Sequence, residues 1–323
     1  MLPNFKYVHA GSLAEAVKEL ASADAQLHAG GTDLLPALRD GVFAAKKVVS
    51  ISGLGDLRRI RPLDDGGIAI GALATLAEVA EHRVIRQRYS ALAQAAKSAA
   101  TPQIRNQGTL GGNLCQRPRC WYFRSGFDCL RKGGETCYAV EGENEFHCIF
   151  GGSGCYMAHP SDAAPALSAL QARVQITGPK GTRIAPLDDF FVPPSTDAKR
   201  ETVLEQGEIL TDILLPAPAA NLRSSYRKAR VRESWDFALA GVALALQLTG
   251  GRVEHARIFL AGVAPVPWRT AAAEKALVGR KLDLALAADA AAAATHGAEP
   301  LSQNGYKVDL VRGVVEEALA ALV

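Results

Sequence analysis

All six cysteines of this 323-residue chain lie between Cys115 and Cys155. A chain of this length can bury a core without disulfides, so the clustering favours metal or redox chemistry. The spacing contains no CxxC pair and no bacterial ferredoxin run, which argues against a zinc ribbon and a thioredoxin-like site. Thiolates are the ligands of iron-sulfur clusters, and four of these cysteines could enclose one cluster. Buried free thiols in a loop are the alternative.

Two glycine-rich loops have the residue types that bind phosphate. The first, AGGTDL at 29–34, lies between a predicted strand and a predicted helix, where free amides and the helix dipole can stabilise an anion. The second is TLGGNL at 109–114, and the two phosphates of one dinucleotide could lie between the loops. Neither loop is GxGxxG or GxxxxGK[ST], which disfavours a Rossmann nicotinamide site and a P-loop. A tight turn capped by Thr32 or Asp33 is the alternative for the first loop.

An α/β pattern positions these loops. The pair Ser12 and Glu15 predicts the start of the first helix as a capping box. A further helix is expected from Asp33 to Asp40, and the stretch 101–113 is expected to be a loop. The remaining elements predicted before the cysteines are strands at 7–9, 26–29 and 47–51 and amphipathic helices at 75–81 and 90–98.

The cysteines interrupt a continuing domain, because a helix at 164–170 and a strand at 173–177 resume the pattern after them. Residues 115–158 are therefore predicted to be an insertion. The turn-rich stretch 193–218 is typical of a linker with one short strand at 209–215. Beyond it, the sequence predicts a strand at 252–261 and helices over the alanine-rich 271–292 and over 310–322.

Composition describes an ordinary globular protein, with 48% hydrophobic and 21% charged residues. The net charge of +3 and the lack of basic runs make nucleic acid an unlikely partner. The N-terminus lacks an export signal, and no apolar stretch is long enough to span a membrane. The chain's own sequence thus predicts a cytoplasmic location.

Five motifs carry a resemblance to a known family. They are AGGTDLLP at 29–36, TLGGNL at 109–114, HPSD at 159–162, GEIL at 207–210 and YRKAR at 226–230. In this order they resemble the FAD-binding subunits of xanthine dehydrogenase and carbon monoxide dehydrogenase type molybdenum hydroxylases. The resemblance implies an α+β fold with a two-part FAD-binding domain of the vanillyl-alcohol oxidase and CO dehydrogenase flavoprotein type. The parts are expected at residues 1–60 and 61–216, followed by a C-terminal α+β domain at 217–323.

The resemblance also implies which residues bind FAD. Asp162 would hydrogen-bond the cofactor, Leu210 would pack near it, and Lys228 would approach the isoalloxazine edge, where a cation stabilises reduced flavin. The alternatives are a helix N-cap for Asp162, strand core for Leu210 and solvated surface for Lys228. The remaining expected contacts are Ala29, Gly30, Gly31, Thr32, Asp33, Leu34, Thr109, Gly111, Gly112 and Asn113.

The insertion resembles those of two subgroups, the FAD subunits of bacterial periplasmic aldehyde oxidoreductase and of 4-hydroxybenzoyl-CoA reductase, which carry an extra [4Fe-4S] cluster. The pattern NL.QR.RC.YF followed by CxxxHPSD is closer to the aldehyde oxidoreductase subunit. This match implies Cys120, Cys129, Cys137 and Cys155 as the cluster ligands. Cys148 competes with Cys155 for the fourth position.

The function implied is that of an FAD- and [4Fe-4S]-binding electron-transfer subunit of a molybdenum hydroxylase, with an aldehyde as the expected substrate of the complex. Its partners would be a molybdenum cofactor subunit and a [2Fe-2S] ferredoxin-like subunit, with an external electron acceptor. Co-export with a signal-bearing partner would place the complex in the periplasm. The alternatives are a self-contained flavin oxidase and a cysteine-rich metal-binding module without flavin.

Overall fold

The first unit is a small parallel sheet with strand order β1-β3-β2. The computed structural model describes residues 1–323. Ser12 caps the first helix through the Glu15 amide, whereas the Glu15 carboxylate accepts from the amide of Gly11. The elements of this unit are β1 (Lys6–His9), α1 (Leu13–Leu20), β2 (Ala25–His28), α2 (Leu34–Arg39) and β3 (Lys47–Ser50).

The second unit is a five-stranded antiparallel sheet with strand order β4-β5-β8-β6-β7. Its elements before the insertion are β4 (Ile60–Pro62), β5 (Ile68–Gly71), α3 (Leu76–Glu81), α4 (Arg83–Arg88), α5 (Ser90–Ser98), α6 (Pro102–Gln107) and α7 (Leu110–Leu114). Those within and after it are α8 (Trp121–Arg124), α9 (Ala163–Ala169), β6 (Arg173–Gly178), β7 (Gly181–Pro186) and β8 (Ile209–Leu215).

The third unit is an antiparallel sheet with strand order β12-β11-β10-β9. Alternate residues of β10 enter two different apolar cores, so one sheet face packs on the second unit and the other on the C-terminal helices. The elements are β9 (Leu222–Ala229), β10 (Ala240–Thr249), β11 (Arg252–Ala261), β12 (Trp268–Arg269), α10 (Ala271–Leu277), α11 (Leu284–Ala293) and α12 (Tyr306–Ala320).

Two element predictions were wrong, and a third predicted region divides into two helices. The stretch 193–218 is not a linker, because β8 lies between β5 and β6 inside the second sheet. The loop expected at 101–113 contains α6 and α7, since Thr101 and Thr109 each cap a short helix. The stretch 271–292 is helical as expected but forms two helices, α10 and α11, which separate near Gly279; this glycine has a φ of +82° and donates its amide to the Val253 carbonyl.

The insertion at 115–158 has little regular structure and lies against the third unit. Apart from α8 it contains one 3-10 turn, Leu130–Lys132. The Asn304 amide donates to the carbonyls of His147 and Cys148, and the buried Lys307 ammonium donates to the carbonyls of Phe146 and Gly262. These bonds fix the path of the chain through the second half of the insertion.

The longest helix, α12, has 15 residues. No helix is long and apolar enough to cross a membrane.

Candidate functional site

The two glycine loops meet at a cleft of about 510 Å³ between the first two units. Of the thirteen predicted FAD contacts, all except Lys228 line this cleft. The twelve are Ala29, Gly30, Gly31, Thr32, Asp33, Leu34, Thr109, Gly111, Gly112, Asn113, Asp162 and Leu210. The volume lies within the range of small-molecule and cofactor sites, about 300–1,000 Å³.

The first loop offers unused backbone donors to the cleft. The amides of residues 30–33 donate no hydrogen bond to any protein atom, although the surrounding backbone is well paired. Gly31 has a φ of +71°, a conformation that glycine adopts without strain. A run of free amides after a strand and before a helix is a binding site for an anion such as phosphate.

The second loop contributes close packing rather than free donors. The amides of Leu110 and Gly111 donate to the carbonyls of Ala74 and Ala72, and that of Gly112 donates to the Thr109 hydroxyl. A Cβ on Gly111 would lie 2.7 Å from the Ala72 Cβ, so only glycine allows this approach. The glycines of this loop therefore shape the cleft wall.

The first loop also contacts the end of α6, which leads into the second loop. A Cβ on Gly30 would lie 2.1 Å from the carbonyl oxygen of Gln107, and the Gln107 side chain donates to the Gly30 carbonyl at 3.1 Å. The Gln107 carbonyl belongs to the backbone and cannot rotate away as a side chain could. The close approach of the first loop to Gln107 therefore requires that residue 30 has no side chain.

Asp33 connects the first loop to the insertion. Its carboxylate accepts from the Arg117 amide at 2.7 Å and from the guanidinium groups of Arg119 and Arg124. Burial raises the pKa of this carboxyl, but the charges of Arg119 and Arg124 outweigh burial and hold the pKa below its usual value. Asp33 is therefore a structural anion at the cleft wall.

Asp162 and Lys228 form a buried ion pair behind the cleft. Their oxygen and nitrogen are 2.8 Å apart, and the two side chains are 6% and 3% exposed. Asp162 also accepts from the Tyr226 hydroxyl at 2.6 Å, and burial together with Asp162 raises the pKa of Tyr226 well above its usual value. Lys228 thus reaches the cleft only through Asp162.

Two of the alternative interpretations in this region are wrong. Asp162 precedes α9 but makes no capping bond, since the Ser161 hydroxyl accepts from the Ala164 amide instead. Lys228 is buried, not solvated. Leu210 is 4% exposed and belongs to strand core as well as to the cleft wall.

The four predicted cluster ligands line a second, smaller cavity inside the insertion. Cys148 is absent from its walls: it is fully buried, and its sulfur packs against Gly152. The cavity is lined by Cys120, Tyr122, Phe123, Cys129, Leu130, Arg131, Cys137, Tyr138, His147, Cys155 and Met157.

Burial shifts the pKa values of titratable side chains that line this cysteine cavity. Burial raises the pKa of Cys120 to about 11, and the Cys120 sulfur lies 3.3 Å from Nε2 of His147. Burial and the nearby Lys307 lower the pKa of His147 to about 4, so this imidazole is neutral at pH 7. No group of three or more His, Cys, Asp or Glu side chains is arranged to hold a single metal ion. A four-iron cluster is a larger object, around which four thiolates are spread.

Comparison with known proteins identifies the family. Residues 3–218 match the FAD binding domain in molybdopterin dehydrogenase. The chain belongs to this family. Residues 224–322 match the CO dehydrogenase flavoprotein C-terminal domain, so the expected fold and the resemblance are both confirmed.

Relatives of the family cover almost the whole chain. It is 36% identical to the aldehyde oxidoreductase FAD-binding subunit PaoB of Escherichia coli strain K12, over 98% of this chain and 97% of PaoB. It is 31% identical to the carbon monoxide dehydrogenase medium chain of Hydrogenophaga pseudoflava, over 99% and 97%. A carbon monoxide dehydrogenase structure from H. pseudoflava has a TM-score of 0.79 at 30% identity, covering 99% and 98%. The chain is therefore an oxidoreductase subunit with an FAD-binding domain.

The cleft contains groups that the sequence analysis missed. Arg117 and Arg119 line it beside the first loop, where their charges suit a pyrophosphate. Both lie in the QR.R part of the insertion pattern, so that motif was an available signal. Phe237 lines the outer wall with the Arg119 guanidinium 5.4 Å from its ring centre. No local motif marks Phe237, since its contact with Arg119 joins the insertion to the third unit.

Proposed function

We propose that the chain is the FAD- and [4Fe-4S]-binding electron-transfer subunit of a heteromeric molybdenum hydroxylase that oxidises aldehydes. A molybdenum cofactor subunit carries out the substrate chemistry, and a [2Fe-2S] ferredoxin-like subunit delivers electrons to this chain. The bound FAD accepts electron pairs and passes them to an external acceptor. The functions named for the relatives, aldehyde oxidoreductase for PaoB among them, support this assignment.

The observation that carries the flavin part is the cleft itself. Free amides at residues 30–33 and the cations of Arg117 and Arg119 suit a pyrophosphate, and the apolar wall that includes Leu210 suits a planar ring. Asp162 is held rigid by Lys228 and Tyr226, so it offers a fixed acceptor on the cleft wall. We propose all thirteen predicted residues as the FAD-binding set, with Lys228 acting through Asp162.

The cluster part is supported by the shared cavity of Cys120, Cys129, Cys137 and Cys155. Cys155 is preferred over Cys148 as the fourth ligand, because Cys155 lines this cavity and Cys148 does not. Cys115 lines the cleft instead, and burial raises its pKa to about 12. A cluster in this cavity would add a one-electron carrier to the chain.

Combined flavin and iron analysis tests both parts. The full complex should be purified with wild-type chain, Cys155→Ser and, as the matched control, Cys148→Ser. We expect Cys155→Ser to lose the iron of one four-iron cluster and to keep flavin, whereas Cys148→Ser keeps both. Loss of iron in Cys148→Ser alone would overturn the ligand choice, and a wild-type chain without flavin would overturn the function.

The division of labour has its own test. The isolated chain should reduce artificial dyes only when an electron donor is supplied and should not oxidise aldehydes. Full aldehyde oxidation by the chain without its partners would contradict the proposed function.

A further inference from the structure

Arg131 lies at the boundary between the cysteine cavity and the cleft. Its side chain is 1% exposed, and Nη1 donates to Glu201 Oε1 at 2.9 Å and to the Arg200 carbonyl at 3.2 Å. The other two guanidinium nitrogens, Nε and Nη2, are buried and donate to no protein atom. A buried cation with two unused donors is costly unless an acceptor lies beside it.

The unused donors lie beside the cysteines. Arg131 is the only charged side chain among the residues that line the cysteine cavity, and Cys155 lines the same cavity. Four thiolates would bring several negative charges into this cavity, and Arg131 is the one ionic group in its wall that can compensate them. The donors of Arg131 therefore suit a thiolate or a cluster sulfide.

Glu201 connects Arg131 to the other site. Its carboxylate is 9% exposed, binds Arg131 through one oxygen and lies 2.7 Å from Nε of Arg117 through the other. Glu201 and Arg117 both line the cleft. Arg131, Glu201 and Arg117 thus form a continuous run of ion pairs from the cysteine cavity to the cleft.

We propose that Arg131 sets the reduction potential of the cluster held by the four cysteines, and that Glu201 opposes it. This role rests on the proposed function. One-electron reduction adds one negative charge to the cluster and makes or breaks no bond, and dithionite supplies that electron in a titration. The cation of Arg131 and the two donors that it leaves without a protein partner favour the reduced form, whereas the anion of Glu201 disfavours it. Arg131 is a positioning and tuning residue, since it acts on the cluster through charge.

The test is a redox titration of the purified complex, followed by electron paramagnetic resonance. Arg131→Gln removes the cation, Glu201→Gln removes the anion, and Lys132→Gln removes a neighbouring cation that does not line the cavity. We expect Arg131→Gln to lower the ratio of reduced to oxidised cluster about tenfold at a fixed poise, a shift of about 59 mV. Glu201→Gln should raise the ratio, and Lys132→Gln should leave it unchanged.

Shifts of opposite sign in the cluster potential of Arg131→Gln and Glu201→Gln separate electrostatic tuning from a structural role. A loosened cavity would shift the potential of both variants in the same direction. If Arg131→Gln loses its iron, Glu201→Gln still decides, since it retains the arginine. An unchanged or lowered cluster potential in Glu201→Gln, with the iron content of wild type, overturns the proposal. A wild-type complex without this cluster's signal overturns the proposed function itself, a different result from a cluster that is present but does not respond.

Discussion

Replacement of Gly30 by alanine tests whether the contact between the first loop and the end of α6 shapes the FAD site. The added Cβ would lie 2.1 Å from the Gln107 carbonyl oxygen and 3.0 Å from its carbon, and both atoms are backbone. No side-chain rotation can relieve this overlap, so the first loop and the end of α6 must move apart.

The size of the effect follows from the overlap. Overpacking of one methyl group typically costs about 1–3 kcal/mol. If the cost is borne by the form of the cleft that binds FAD, the affinity falls by about 5- to 150-fold. Gly55→Ala is the matched control, because a Cβ there has no neighbour within 4 Å and its φ is not positive.

The assay is the flavin-to-protein ratio of the purified complex, followed by titration of FAD into the flavin-depleted protein. Gly55→Ala should behave as wild type in both. Wild-type FAD affinity in Gly30→Ala would refute the argument that the close approach of Gly30 to Gln107 is needed to bind the cofactor.

Three further predictions concern buried charges. Asp162→Asn leaves Lys228 buried without a counter-charge and should lower the free energy of unfolding by about 3–5 kcal/mol in urea denaturation. The double variant Asp162→Asn with Lys228→Met should be more stable than Asp162→Asn alone, and equal stability would contradict the ion-pair argument. The lowered pKa of Asp33 stabilises the fold above about pH 4, and this contribution is lost as the pH falls through the folded-state pKa. Asp33→Asn should therefore lower the free energy of unfolding by about 1.5–3 kcal/mol at pH 7, and its stability should depend less on pH in the acid range than that of wild type. Acid-range stability profiles that run parallel in variant and wild type would contradict this prediction. Burial lowers the pKa of Lys307 to about 8 from its ordinary 10.5. Between about pH 8 and pH 10.5 the Lys307 amine is protonated in the unfolded chain but not in the folded one. The free energy of unfolding of wild type should therefore rise as the pH increases through this range, and Lys307→Met should show no such rise.

Local sequence was sufficient to place the first glycine loop, because it lies where β2 gives way to α2, whereas residues 110–114 of the second motif form α7. It also grouped Cys120, Cys129 and Cys137, which are close together along the chain. Local sequence could not show that Gly30 touches Gln107, since that contact joins residues 77 positions apart.

The partners of charged side chains were harder to predict from the sequence than the positions of the glycine loops. The motif YRKAR suggested that Lys228 approaches the flavin, but it carries no sign of the buried ion pair that Lys228 forms with Asp162 at 2.8 Å. Glu201 belongs to no motif, and it meets Arg131 and Arg117 only because the insertion folds back on the 193–218 stretch. Such pairings depend on tertiary structure, and hydrophobic periodicity carries no signal for them.

The carboxylate of Asp33 has a consequence for how the protein matures. Asp33 belongs to the loop that offers amides to FAD, whereas its three donors belong to the cysteine-bearing insertion. Whatever orders the insertion therefore also orders the FAD loop, and by thermodynamic reciprocity the converse holds. Under the proposed function, filling one site raises the affinity of the other, so a chain without its cluster still takes up FAD but holds it less tightly than the iron-loaded chain.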